Sequence, residues 1–273
     1  MMQSIRQLIK ERGDNTLFNR SVFPLLTRLI QRRPLRPLKL GVRKYAWLAA
    51  GLLCLHGVQA QDIDYVNANF SVEYNNKLTQ GENRLSIQRE QKQYEINFGL
   101  DHWLLSSHQT AVFTMEQCQA QPLSYTSTAK RPLKDESTQT LNFDWQQKKA
   151  TFQSDGEHKS FDLDTALYDP LSFFFEARCD LIAGKTAFSY PLIHKGNKKT
   201  HHYKVVGIET VETGQGQVDA LVIERERESK SRQTRLYVAP SLDYLLVKIE
   251  HQESRLLKIV ATLKSMDYQL INH

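Results

Sequence analysis

The sequence predicts a mainly β domain: a long, curved antiparallel sheet, a half-barrel or open barrel, wrapping one helix at about residues 170–182. Three observations predict it. Segments after residue 61 alternate apolar and polar with a period of two, as strands do with one face on a core. Turn-forming residues separate these segments at short intervals. One segment carries helix punctuation and a helical apolar stripe instead. A closed barrel with a side helix is the other arrangement this pattern allows.

The strands follow in order. Val66, Ala68, Phe70, Val72 and Tyr74 share one face, with Tyr65, Asn67 and Asn69 on the other. Leu85-Ser86-Ile87 and Tyr94-Glu95-Ile96-Asn97-Phe98 alternate in the same way. Later runs are Val205–Ile208, Leu221–Glu224, Leu236–Val238, Leu245–Ile249 and Leu256–Leu263, rich in the branched and aromatic residues that suit a pleated surface. Asn75-Asn76, Ser154-Asp155-Gly156, Lys195-Gly196-Asn197, Gly214-Gln215-Gly216 and Pro240-Ser241 supply the turns. Antiparallel hairpins result, with one face buried and one wet.

The helix is read from its ends. Asp169 suits an N-cap, Pro170 a first helical position and Gly184 the residue just past the C-terminus. Between them Leu171, Phe174, Phe175, Arg178 and Ile182 fall on one face of about 13 residues. A face this aromatic has to lie against the sheet, where fully burying one Phe stabilises by about 1.5–3 kcal/mol.

Residues 1–60 read as a leader, with 61–273 as a single β-rich domain. Arg43 and Lys44 precede an apolar run from Tyr45 to Leu55, and Val58-Gln59-Ala60 fits a signal-peptidase cut between Ala60 and Gln61. The run is 11 residues, whereas a membrane-spanning helix takes about 20, so removal is expected and no transmembrane helix in the mature chain. Residues 1–42 are long for a signal's first region, and the expectation is a start codon assigned too early, with Leu40 or Val42 the initiator. Leu53 before Cys54 argues against lipidation.

The leader also explains the charge. The chain carries 36 Lys+Arg against 30 Asp+Glu, a formal +6. Residues 1–60 hold 11 of those bases and only two acids, leaving the mature region with 25 bases against 28 acids. A mildly acidic domain lacks the electrostatic footprint of a nucleic-acid binder. In an oxidising compartment the remaining Cys118 and Cys179 would either form a disulfide or sit apart as small buried hydrophobes.

Residues able to carry chemistry are sparse. His194, His201 and His202 would meet if residues 188–194 and 199–208 pair, but zinc needs three or four ligands in fixed geometry, and a wet hairpin tip explains them as well. Ser172 has no Gly-x-Ser-x-Gly elbow and reads as a helix-start residue. Asp101, His102 and His108 could form acid–base pairs in a loop. Glu224-Arg225-Glu226-Arg227-Glu228 alternates in charge, as a protected edge strand or extended hairpin end does. The aromatics Phe173, Phe174, Phe175, Trp103 and Trp145 are the residues expected to line an apolar ligand groove.

The mature region resembles the exported proteobacterial proteins grouped as domain-of-unknown-function family 3108. The resemblance rests on Asp169-Pro170-Leu171-Ser172, the terminating Gly184, Tyr203-Lys204-Val205-Val206-Gly207-Ile208-Glu209, Leu236-Tyr237-Val238-Ala239-Pro240, and Tyr244–Ile249. It departs where Tyr237 stands for Trp and Leu246 for Pro. The resemblance implies a periplasmic β-rich domain, similar in outline to the lipoprotein-carrier half-barrels, and supplies no catalytic residues. The combined expectation is a non-enzymatic periplasmic protein of a Gram-negative bacterium, without cofactor, whose concave face binds an apolar or lipidic ligand or an envelope protein partner. The alternative is an envelope scaffold or assembly factor acting through an exposed strand edge.

Overall fold

Among the residues described by the computed structural model (60–102, 105–130, 135–226, 232–254 and 257–271), fourteen strands form one antiparallel sheet. The first eight are β1 (Ile63–Tyr74), β2 (Lys77–Glu90), β3 (Gln93–His102), β4 (Leu105–Glu116), β5 (Gln119–Lys130), β6 (Ser137–Asp144), β7 (Lys149–Ser154) and β8 (Glu157–Asp162). A helix, α1 (Phe173–Ile182), follows. Then come β9 (Ala187–His194), β10 (Asn197–Thr213), β11 (Gly216–Arg225), β12 (Gln233–Ala239), β13 (Leu245–Ser254) and β14 (Leu257–Leu270). The expected signal segment, up to residue 59, lies outside the described residues.

The strand order is β8-β7-β6-β5-β4-β3-β2-β1-β14-β13-β12-β11-β10-β9. The chain meanders outward to one edge, crosses by α1 to the other edge, and meanders back until β14 pairs with β1. This is an up-and-down barrel cut between β8 and β9. No ladder joins those two edges, so the closed-barrel alternative does not hold. The segment after β8 stands in for the missing ladder: Tyr168 N–H donates to the Pro191 carbonyl at 2.9 Å, and Ile193 N–H donates to the Tyr168 carbonyl at 3.0 Å. Side chains complete the seam. Lys159 Nζ donates to the Gly196 carbonyl at 3.0 Å and Lys198 Nζ to the Asp162 carbonyl at 2.8 Å.

Turn chemistry accounts for the hairpins. Asn75 and Asn76 have φ of 49° and 61°, and Lys195 and Gly196 have 51° and 64°, the paired left-handed residues of a tight hairpin turn. The predicted inward face of β1 is buried at Val66, Ala68, Phe70 and Val72.

The helix is shorter than expected, and its first turn is tighter. Asp169 Oδ1 accepts the N–H groups of Leu171 and Ser172 at 2.7 and 2.9 Å. Phe174 and Phe175 then donate to the carbonyls three residues back, so α1 begins only at Phe173. Asp169 therefore caps the entering turn, and Ser172 occupies the N-cap position without a side-chain cap bond. At the other end Gly184 (φ 79°) sits just past the last turn, as expected.

The helix's buried residues are Phe173, Phe175, Ala177, Arg178 and Leu181, not one narrow stripe. It is covered on two sides because it bridges the halves of the sheet. Phe175 packs at 5.0 Å from Tyr94 and 4.7 Å from Phe113, on β3 and β4. Phe173 packs at 5.4 Å from Tyr190 and 5.6 Å from Tyr203, on β9 and β10. A disulfide between Cys118, in the β4–β5 turn, and Cys179 of α1 fixes the helix covalently to the sheet.

Candidate functional site

The inward faces of the sheet do not fill the space around α1. A cavity of about 260 Å³ lies between helix and sheet. Its wall runs around the curl, from Ile63, Ile87 and Ile96 to Ile223, Val238 and Leu245, and α1 forms its lid with Phe173, Phe174, Phe175, Ala177 and Leu181. Four side chains at this cavity carry hydrogen-bonding groups: Arg178, Gln109 and the phenols Tyr203 and Tyr244. Arg178 is held by backbone: its Nε donates to the Asp243 carbonyl and its Nη1 to the Gln61 carbonyl, both at 2.8 Å. Burial lowers its pKa, offset by Asp243 and Asp62, yet a guanidinium stays charged in any such setting. Arg178 thus ties Gln61 and the turn before β13 to the helix, beside a chamber whose lining is mainly apolar.

A second cavity of about 520 Å³ adjoins the first. Gln109 and Pro170 line both. The second chamber is more polar than the first, with Ser107, Ser127, Ser137 and Gln139 on its wall, Lys195 and Asp135 beside them, and Leu141, Phe152 and Ile193 as apolar wall. Tyr125 O–H donates to Gln109 Oε1 at 2.9 Å. Burial pushes the Tyr125 phenol up, so it serves as a neutral donor at physiological pH.

A profile described as Protein of unknown function (DUF3108) matches residues 69–255. The chain belongs to that family. The DUF3108 region runs from within β1 past the end of β13 and includes α1 with nearly all of the wall of both chambers. No curated protein matches the chain. Among solved structures, the beta-barrel-like protein of domain of unknown function DUF1849 from Brucella abortus is similar at 10% identity and a TM-score of 0.49, over 76% of this chain and 99% of that one.

In this DUF3108 chain the expected groove residues divide. Phe173, Phe174 and Phe175 line the apolar chamber. Trp145 does not: it follows β6, stacks on Phe143 at 6.3 Å and donates its indole N–H to the Pro122 carbonyl at 2.6 Å. Trp103 lies outside the described residues.

The three histidines do not converge. β9 and β10 pair as expected, but neighbouring residues of a strand face opposite ways, so His201 is buried while His202 is exposed. His194 and His201 share a face with ring centroids 6.0 Å apart, and Arg225 donates to His201 Nε2. His202 Nδ1 is hydrogen-bonded to Ser189 Oγ at 2.6 Å. A cation against His201 opposes metal binding, and no group of three or more His, Cys, Asp or Glu able to hold a metal occurs among the described residues.

Asp101, His108 and Ser106 do meet. His108 Nε2 lies 2.9 Å from Asp101 Oδ1 and 3.1 Å from Ser106 Oγ, and Ser106 Oγ donates to that same carboxylate at 2.8 Å. A nucleophilic triad needs the acid and the hydroxyl on different ring nitrogens. Here both use Nε2, on side chains more than half exposed, so the cluster is a hairpin network in water.

The charged run also needs correcting. Glu224 belongs to an interior strand, paired with Lys204 of β10 and Arg235 of β12, and Arg235 Nε donates to it at 3.1 Å. The edge-strand alternative fails, but Glu224 and Arg225 close β11 and Glu226 follows it, so these three stand at the end of a hairpin as the other alternative has it; Arg227 and Glu228 lie outside the described residues. Gln109 and the polar chamber were missed in the sequence. Their signal was a negative one, polar residues at inward positions of strands, which looks like absence of pattern.

Proposed function

We propose that this protein binds an apolar, lipidic ligand without catalysing a reaction, and that it does so in the periplasm after removal of the leader. The observation that supports this reading most is the 260 Å³ chamber beneath Phe173, Phe174 and Phe175. Close-packed cores leave few voids larger than a water molecule, and dry cavities of about 150 Å³ already take up benzene-sized ligands. An apolar void of this size beneath a helix tied down by a disulfide fits a binding chamber better than a packing fault. The export signal read in residues 43–60 supports the compartment, as does the disulfide, since such bonds persist in oxidising environments.

The experiment is native mass spectrometry of protein purified from envelope extract, compared with Ala177→Trp, which places a large ring in the chamber from the helix side. Wild-type protein should carry a lipid adduct and the variant should lose it while keeping its circular dichroism spectrum. A consistently empty wild-type protein would overturn the reading.

A scaffold role acting through a strand edge has one observation in its favour. β10 runs on past its last partner in β9, Ala187, and Val206 and Ile208 there are 45% and 69% exposed. In-cell crosslinking from position 208 should then yield one dominant protein partner, and its failure to do so removes this reading. The edge concerned is Val206–Thr210, not the Glu224–Glu228 run.

A further inference from the structure

The two chambers together specify more than an apolar tail. β4, β5 and β6 lie side by side, and their directly opposed residues form three rows across the sheet. Ser107, Ala129 and Ser137 make the first row, and Gln109, Ser127 and Gln139 the second. Ala111, Tyr125 and Leu141 make the third. Residues two apart on a strand share a face, so these rows are successive levels of one inward wall. The third row is buried core, at 0%, 6% and 2% exposure. The first and second, apart from Ala129, are hydroxyl- or amide-bearing, and both rows are half-buried. Polarity therefore changes at one level on three strands at once; Tyr125 and Leu141 of the third row still face the second chamber, and of these nine residues Gln109 alone lines both chambers.

Gln109 stands at the boundary. Its Oε1 accepts the Tyr125 hydroxyl, which orients the carboxamide and leaves the Nε2 hydrogens without a protein partner among the described residues. A donor held there, with apolar wall on one side and hydroxyls on the other, matches an acceptor placed between a tail and a head. An ester carbonyl is such an acceptor. The second chamber offers neutral donors and acceptors in Ser107, Ser127, Ser137 and Gln139 beside the apolar Leu141, Phe152 and Ile193, with His194 at its wall and Lys195 and Asp135 of opposite charge. This lining fits a hydroxylated, uncharged head better than an anion.

We propose that the ligand is an acyl ester of a polyol: its chain occupies the apolar chamber, its ester carbonyl accepts from Gln109 Nε2, and its hydroxyl-bearing head fills the second chamber. This deepens the ligand-binding reading and rests on it.

The test compares three probes of equal chain length on the purified protein by isothermal titration calorimetry: 1-monolauroylglycerol, methyl laurate and lauric acid. The glycerol ester should bind about tenfold more tightly than the methyl ester, the difference made by one or two net hydrogen bonds. Gln109→Leu should weaken both esters by a similar factor. Ser127→Ala combined with Gln139→Leu should erase the preference for the glycerol ester while leaving the methyl ester's affinity within about twofold, as expected for groups that touch only the head. Equal binding of the two esters by wild-type protein overturns the head-group assignment and leaves the apolar-ligand reading standing. A preference for lauric acid overturns it in favour of anion recognition. Failure of all three probes, with no lipid in the native mass spectrum, sinks the underlying reading instead. The wild-type comparison requires no variant to fold.

Discussion

Breaking the Cys118–Cys179 bond tests how α1 is held. The bond joins residues 61 apart in sequence. In the chain-entropy account, closing a loop of that length lowers the entropy of the unfolded chain enough to contribute about 4 kcal/mol to stability at 25 °C. The bridged segment contains β5–β8 and the seam residue Tyr168, so reduction frees that whole loop in the unfolded ensemble. With a urea slope of about 2–3 kcal/mol per M, the unfolding midpoint should fall by about 1.3–2 M. The assay is equilibrium urea unfolding of oxidised protein, of reduced and alkylated protein, and of the Cys118→Ser/Cys179→Ser variant. The last two should agree. An unchanged midpoint in both would refute the argument. So would a reduced form that loses its sheet in the absence of urea, since the aromatic contacts of Phe173 and Phe175 hold α1 independently of the bond.

Three further outcomes follow from the packing. Phe175→Ala removes a ring set between Tyr94 and Phe113 and should cost about 3–5 kcal/mol, whereas the half-buried Phe174 should cost clearly less on the same change; equal losses in urea unfolding would contradict the placement of the helix. Asp169 is fully buried, and burial raises its pKa against the pull of Ser172 and the backbone amides of Leu171 and Ser172. Folded protein then holds that proton more tightly than unfolded protein does. The contribution of Asp169 to stability is therefore full at low pH and declines as pH rises above the unfolded value near 3.8. The stability of Asp169→Asn relative to wild type should accordingly rise between about pH 4 and 7, and a flat difference would contradict the shift. Gly196 has φ 64°, and a Cβ there would approach Phe152 to 2.7 Å. Gly196→Ala should cost at least about 1–2 kcal/mol from backbone strain alone and loosen the β8–β9 seam, which amide hydrogen exchange at Tyr168 and Ile193 would report; unchanged exchange would count against the seam.

How far the fold was legible varied along the chain. β1, β11, β12 and β13 announce themselves because their inward residues are Val, Ile, Leu and Phe, so alternation is visible in the letters. β4, β5 and β6 do not, because Ser107, Gln109, Ser127, Ser137 and Gln139 occupy inward positions and erase the contrast that marks a strand. The region hardest to read is thus the wall of the polar chamber. The β4–β5 turn was invisible for a different reason. Gln117 and Cys118 adopt φ of 48° and 64°, a conformation usually left to Asn or Gly, at a place where the hairpin ladder and a disulfide determine the backbone.

Local chemistry alone determined the strand-rich class, the asparagine and glycine turns, the boundaries of the helix to within a turn, and family membership. Each depends on residues near one another in sequence, where periodicity and capping act. Tertiary structure decided which edges meet, that Glu224 is interior, that Trp145 lies away from the chamber, and that Cys118 reaches Cys179. It also set Gln109 between an apolar and a polar room. Those outcomes depend on how many strands curl around α1 before the sheet's two edges approach, a sum of twists and registers over fourteen strands that no local run of residues encodes.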